Sequence, residues 1–151
     1  MRSRTNRDPL RLTLGWSSQH MLLILLLVAA GLRLLLLGSK SLWFDETLGL
    51  HVAQQGQAML WAGKSERFHP PLFYLLLEFW MQLGEGEFFL RLPSAALGSL
   101  CIPLIYILSR TLTDRSVAMS AAGLATFSPL LVWYSQELRP YALITVLGLI
   151  A

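Results

Sequence analysis

Apolar residues in this chain come as long runs separated by short polar stretches. The first run is Met21 to Gly38, eighteen residues broken only by Arg33, which is long enough to span a bilayer as a helix. A cleaved signal peptide would have an apolar region of roughly 7–15 residues and a small-x-small cleavage site. This run is longer and ends Leu37-Gly-Ser-Lys40, so it reads as an uncleaved first span.

Residues 39–68 are mixed, polar and aromatic, and read as a loop. Within it a helix is predicted from about Glu46 to Trp61, with Leu48, Val52 and Met59 on one face and Gly63 ending it. His69-Pro-Pro71 leads into a second run, Leu72 to Leu83, of twelve residues with Glu78 in its middle. Twelve residues give about 18 Å of helix, short of a hydrocarbon core of about 30 Å. It therefore reads as a juxtamembrane helix that does not cross. Leu92 to Ser109 carries no charge and has small residues, Ser94, Ala95 and Gly98, along one side for close helix packing. Val117 to Trp133 is a further apolar run rich in small residues. The predicted spans are thus about 20–38, 91–110 and 117–134, with another starting near 140. That last run is apolar to Ala151 and shorter than a span, so the chain reads as the N-terminal fragment of a longer protein.

Composition supports this picture. Of 151 residues, 54% are hydrophobic and 14% charged, against about 25% charged in soluble domains. That excludes a disordered chain, an ordinary soluble enzyme and, with Cys101 alone, a disulfide framework. The fold class predicted is all-α and polytopic. Net charge is +3, but Arg2, Arg4, Arg7 and Arg11 lie ahead of the first span, where membrane topology rather than nucleic acid accounts for them. Residues 1–19 are then a basic cytoplasmic N-terminus. With 72–83 not crossing, Arg110 and Arg115 also fall inside, and Asp45-Glu46 shares the external side with the segment from Tyr134 to Tyr141.

Those two segments carry the candidate chemistry. Adjacent carboxylates at a membrane boundary can supply a general base or ligands for a hard cation. Equally, Asp45 can be a helix N-cap with Glu46 favourable in the first turn. Glu137 and Arg139 in Tyr134-Ser-Gln-Glu-Leu-Arg-Pro-Tyr141 are either a solvated loop pair or part of a site with the carboxylates. Lys64, Arg67 and His69 can neutralise a phosphate there, or contact lipid headgroups. Arg33 and Glu78, ionisable within apolar runs, are functional candidates by default, although Arg33 can also snorkel outward from its helix end. His20 and His51 have no metal-ligand spacing. Trp16, Trp43, Trp61 and Trp133 read as interfacial anchors, and Cys101 as packing. The chain has no P-loop, GxGxxG, GxSxG or HExxH motif.

Ser41-Leu-Trp-Phe-Asp-Glu-Thr47, His69-Pro-Pro-Leu-Phe-Tyr74, Leu90-Arg-Leu-Pro-Ser-Ala-Ala-Leu-Gly98 and Ser128-Pro-Leu-Leu-Val-Trp-Tyr-Ser-Gln-Glu-Leu-Arg-Pro-Tyr-Ala-Leu143 occur in this order. Together they resemble the N-terminal part of bacterial family-39-like membrane glycosyltransferases of the GT-C fold, which include protein O-mannosyltransferases and lipid A aminoarabinose transferases. The resemblance runs from about residue 20 to the end. It implies a GT-C-like helical module with juxtamembrane helices in the first external loop. It also implies transfer of a sugar from a polyprenyl-phosphate donor to a lipid, glycan or protein acceptor on the external face of the bacterial inner membrane, with inversion. By the same resemblance Asp45 is the base that deprotonates the acceptor hydroxyl and Glu46 supports it. Lys64, Arg67, His69, Glu137 and Arg139 are the candidate substrate contacts. No metal ligand is assigned, and a divalent cation is left open as cofactor. Members run to several hundred residues, so this stretch alone is expected to be inactive.

Two rival readings remain at this point. A transporter or permease subunit would place ionisable groups at mid-membrane and break its helices, whereas here charges gather at boundaries. A non-catalytic membrane scaffold would tolerate neutral residues at 45 and 46.

Overall fold

The computed structural model describes residues 16–54 and 71–151. The described part of the chain forms seven helices: α1 (Trp16–Leu34), α2 (Phe44–Gln54), α3 (Pro71–Met81), α4 (Glu87–Leu112), α5 (Arg115–Phe127), α6 (Pro129–Ser135) and α7 (Tyr141–Ile150). There is no strand among the described residues. The basic N-terminus ahead of α1, the second half of the helix expected over 46–61, and Lys64, Arg67 and His69 lie outside them.

Among the described residues two helices are long and apolar enough to cross a membrane, Ser17–Leu34 and Glu87–Leu112. The span expected over 117–134 is two helices instead. α5 and α6 meet at 57° across Ser128, because Pro129 has no N–H for the helical ladder and the Ser128 hydroxyl caps the new helix at the Leu131 amide. Counted as one broken span, the pair makes three. α3 is eleven residues, about 17 Å, and stops before Gly86, whose φ of 112° is open to glycine without steric cost. α3 therefore falls short of a crossing on length.

α4 is the central post, packed against α1, α5 and α7. Small side chains let the helices approach: Ala118, Ala122 and Ala125 on α5 meet Ala29, Ile102 and Tyr106 in one buried cluster. A second cluster at the other end joins Val52 and Ala53 of α2, Phe73, Tyr74 and Leu77 of α3, Leu90, Leu138 and Leu143. α3 is tied to α4 through a backbone vacancy. Pro93 inside α4 leaves the Phe89 carbonyl without its helical donor. The Trp80 indole N–H donates to that carbonyl at 2.9 Å, with the Trp80 and Phe89 rings stacked 4.7 Å apart.

Arg33 does not snorkel. It is wholly buried, donates from Nε to Ser135 Oγ at 3.2 Å and from Nη1 to its own helix at Ala29 O, and keeps Nη2 without a hydrogen-bond partner among the described residues. Gly98 makes room for this contact: a Cβ there would fall on the Ser135 side chain and 3.2 Å from Arg33 Nε. Glu78 is half-buried on α3, with Oε2 unpartnered.

Candidate active site

The adjacent carboxylates of the first loop have opposite fates. Trp43 O accepts the first helical bond of α2, from Thr47 N, so Trp43 occupies the N-cap position and Asp45 and Glu46 are the second and third helical residues. The N-cap alternative for Asp45 is thereby set aside. Glu46 turns back and accepts the Trp43 N–H at 3.0 Å, one half of a capping box.

Glu46 is also the centre of the fold at this end. It is buried and takes Arg91 in a forked pair, Nε to Oε1 at 3.0 Å and Nη2 to Oε2 at 2.6 Å. Leu138 N donates to Oε1 at 2.7 Å. Arg91 spends its remaining N–H groups on carbonyls: Nη1 donates to Leu37 and Lys40, and Nη2 to Ser41. Leu36, with φ of 60°, turns the chain ahead of these carbonyls in a conformation that costs a non-glycine residue about 1–3 kcal/mol. Burial pushes the Glu46 carboxyl up, but the Arg91 guanidinium and the Leu138 and Trp43 N–H groups outweigh it and hold it below the usual carboxylate range.

Asp45 points outward. Its side chain is 65% exposed and pairs with Arg139 Nη2 at 2.6 Å, the Arg139 side chain being 13% exposed. Arg139 also lines an apolar groove of about 400 Å³ between α3, α4 and α7, walled by Phe73, Leu77, Trp80, Pro93, Leu97 and Leu143. A second cavity, about 260 Å³, is lined by Lys40, Trp43, Glu46, Arg91, Trp133 and Glu137 among others. Lys40 Nζ lies over the Trp133 ring, 5.1 Å from its centre, and Glu137 accepts the Trp133 indole N–H at 2.6 Å.

Five consecutive residues assemble this end. Ser135 receives Arg33. Gln136 Nε2 lies 2.9–3.2 Å from the carbonyls of Leu32, Arg33 and Leu35 and closes the open end of α1. Glu137 fixes Trp133, Leu138 N reaches Glu46, and Arg139 reaches Asp45. Asp45, Glu46, Glu137 and Arg139 thus come together; Lys64, Arg67 and His69 lie outside the described residues. Sequence reasoning passed over Arg91 and Lys40. The signal for Arg91 was available, as an arginine flanked by Phe88-Phe89-Leu90 and the apolar run from Leu92 has to find an acid or several carbonyls. Among the described residues no group of three histidine, cysteine or acidic side chains is close enough to hold a metal ion.

Long apolar helices around a polar end with paired charges define an integral membrane protein with a site at one end of its bundle. The family model of the dolichyl-phosphate-mannose-protein mannosyltransferases matches residues 68–151, more than half of the chain. The protein belongs to this family of GT-C-type membrane glycosyltransferases, which join a lipid-linked sugar donor to an acceptor. The matched stretch carries Arg91 and the 135–139 segment; Asp45 and Glu46 precede it. Neither a curated protein nor a solved structure matches the chain.

Proposed function

We propose that the protein transfers a sugar from a polyprenyl-phosphate donor to an acceptor hydroxyl on the external face of the plasma membrane, inverting the anomeric carbon. The observation that carries this reading is the position of Asp45: an exposed carboxylate, held by Arg139, which also lines an apolar groove. A prenyl chain suits the groove, and its phosphate suits Arg139 at the groove wall. Bound phosphate competes with Asp45 for the guanidinium and frees the carboxylate to meet the acceptor hydroxyl. Asp45 takes the proton of the acceptor hydroxyl, whose oxygen bonds to the anomeric carbon as the bond from that carbon to the phosphate oxygen breaks. The lipid phosphate leaves with the electron pair and needs cations rather than an acid; Arg139 is one, and Lys64 and Arg67 are further candidates, with His69 and Glu137 as substrate contacts. Glu46 is a positioning residue, since its oxygens are taken by Arg91, Trp43 and Leu138.

The donor and the stereochemistry are tested together. The intact protein in membranes is given an α- or β-linked polyprenyl-phosphate sugar, and the anomer of the product is read by NMR. The expected product has the opposite anomer, and Arg139→Gln raises the KM for the donor. Retained configuration, or transfer from nucleotide sugars alone, would overturn the proposal.

A further inference from the structure

The far end of the bundle holds a second polar site. α4 carries Arg91 in its second turn and rises about 32 Å from there toward it. There the first turns of α1 and α5 meet around a groove of about 480 Å³ lined by Ser17, Ser18, Ser116, Ser120, Arg115 and two methionines. Among the described residues the lining contains no carboxylate. Arg115 Nη2 donates to Ser17 Oγ across the groove at 2.7 Å. Asp114 gives no side-chain cap to the first turn of α5, which leaves that positive helix end open.

The decisive observation is Ser18. It is 1% exposed, and its buried hydroxyl has no hydrogen-bond partner among the described residues. A hydroxyl sealed in a helical bundle without an acceptor is costly, and here it lines the same groove as the Arg115 guanidinium and the first turn of α5. Convergent hydroxyls, a guanidinium and an open helix start together suit phosphate oxygens.

We propose that this groove binds a phosphate group, with Arg115 and Ser18 as its principal donors. The phosphate belongs either to an anionic lipid headgroup of the adjoining leaflet or to a free phosphate compound. Arg2, Arg4, Arg7 and Arg11 precede α1 in the sequence, and a basic segment beside a membrane helix favours anionic lipid.

The test uses the intact protein in neutral detergent, with two probes. Native mass spectrometry counts phosphatidylglycerol adducts against phosphatidylcholine adducts, and thermal unfolding is compared in inorganic phosphate and in chloride at equal ionic strength. A headgroup site gives selective phosphatidylglycerol adducts and no phosphate shift; a site for free phosphate gives the shift. In either case Arg115→Gln and Ser18→Ala each weaken the positive probe by about fivefold to tenfold. Arg115→Lys retains most of the binding, and Arg110→Gln, outside the groove, is neutral. Absence of both signals would overturn the proposal. So would loss in Arg115→Gln with Ser18→Ala unchanged, because that is general surface attraction rather than a built site.

Discussion

Asp45 and Glu46 are neighbours in sequence with the same chemistry, and both face an arginine. Glu46 is sealed with Arg91, every oxygen and every N–H engaged. Asp45 meets Arg139 at the surface, the carboxylate exposed and the guanidinium largely covered. A saturated pair fixes geometry and has no valence left for a reactant; a pair whose carboxylate stands in solvent contributes little to stability and leaves that carboxylate free to exchange partners. The two carboxylates therefore divide the work, one holding the loop and the other presented to chemistry.

Arg91→Ala strikes the closed pair hardest. It leaves Glu46 buried and unpaired, and unfolding in detergent should show a loss of about 3–5 kcal/mol. Exchanging the charges, Glu46→Arg with Arg91→Glu, should not rescue it, because the Leu37, Lys40 and Ser41 carbonyls then lose their donors. Recovery of the wild-type midpoint in the double variant would contradict this.

Gly98→Ala attacks the clamp that serves both carboxylates. The added methyl displaces Ser135 from Arg33, at a cost of about 1–3 kcal/mol, read in the same unfolding experiment.

Acid probes the closed pair more gently. The Glu46 carboxyl is depressed in the folded state from an ordinary value of 4.5. Its ionisation thus stabilises the fold fully above that value, and the contribution is lost as pH falls through the lowered one. Acid-unfolding curves should show this loss in wild type and lack it in Glu46→Gln. The open pair should barely register: Arg139→Gln changes stability by about 0–1 kcal/mol.

How much of this could be read beforehand differs between fold and site. Run length and charge gave the helices, including the short α3, because bilayer thickness sets a threshold that eleven or twelve residues do not reach. The break at Ser128 was also written in the chain, as Pro129, but lay inside a run whose apolar character hid it. Residue type marked Asp45, Glu46, Glu137 and Arg139 as a group. Type alone said nothing of which carboxylate would be buried, because that depends on Arg91, forty-five residues away. For Arg33 the residue type left a functional role and snorkelling both open, and neither reading named its partner Ser135, a hundred and two residues on. Pairings of this kind are set by packing and have no local periodicity to announce them.

The division of work is tested most directly by Asp45→Asn in the intact protein, with the transfer rate and the unfolding midpoint measured on the same membranes and Glu66→Gln as a control. Asparagine keeps the size of the side chain and removes its charge and basicity. The expected result is a transfer rate lower by about 10²–10⁴-fold at an unchanged midpoint. A wild-type rate, or a rate that falls only in step with the midpoint, would contradict the assignment of the chemistry to Asp45.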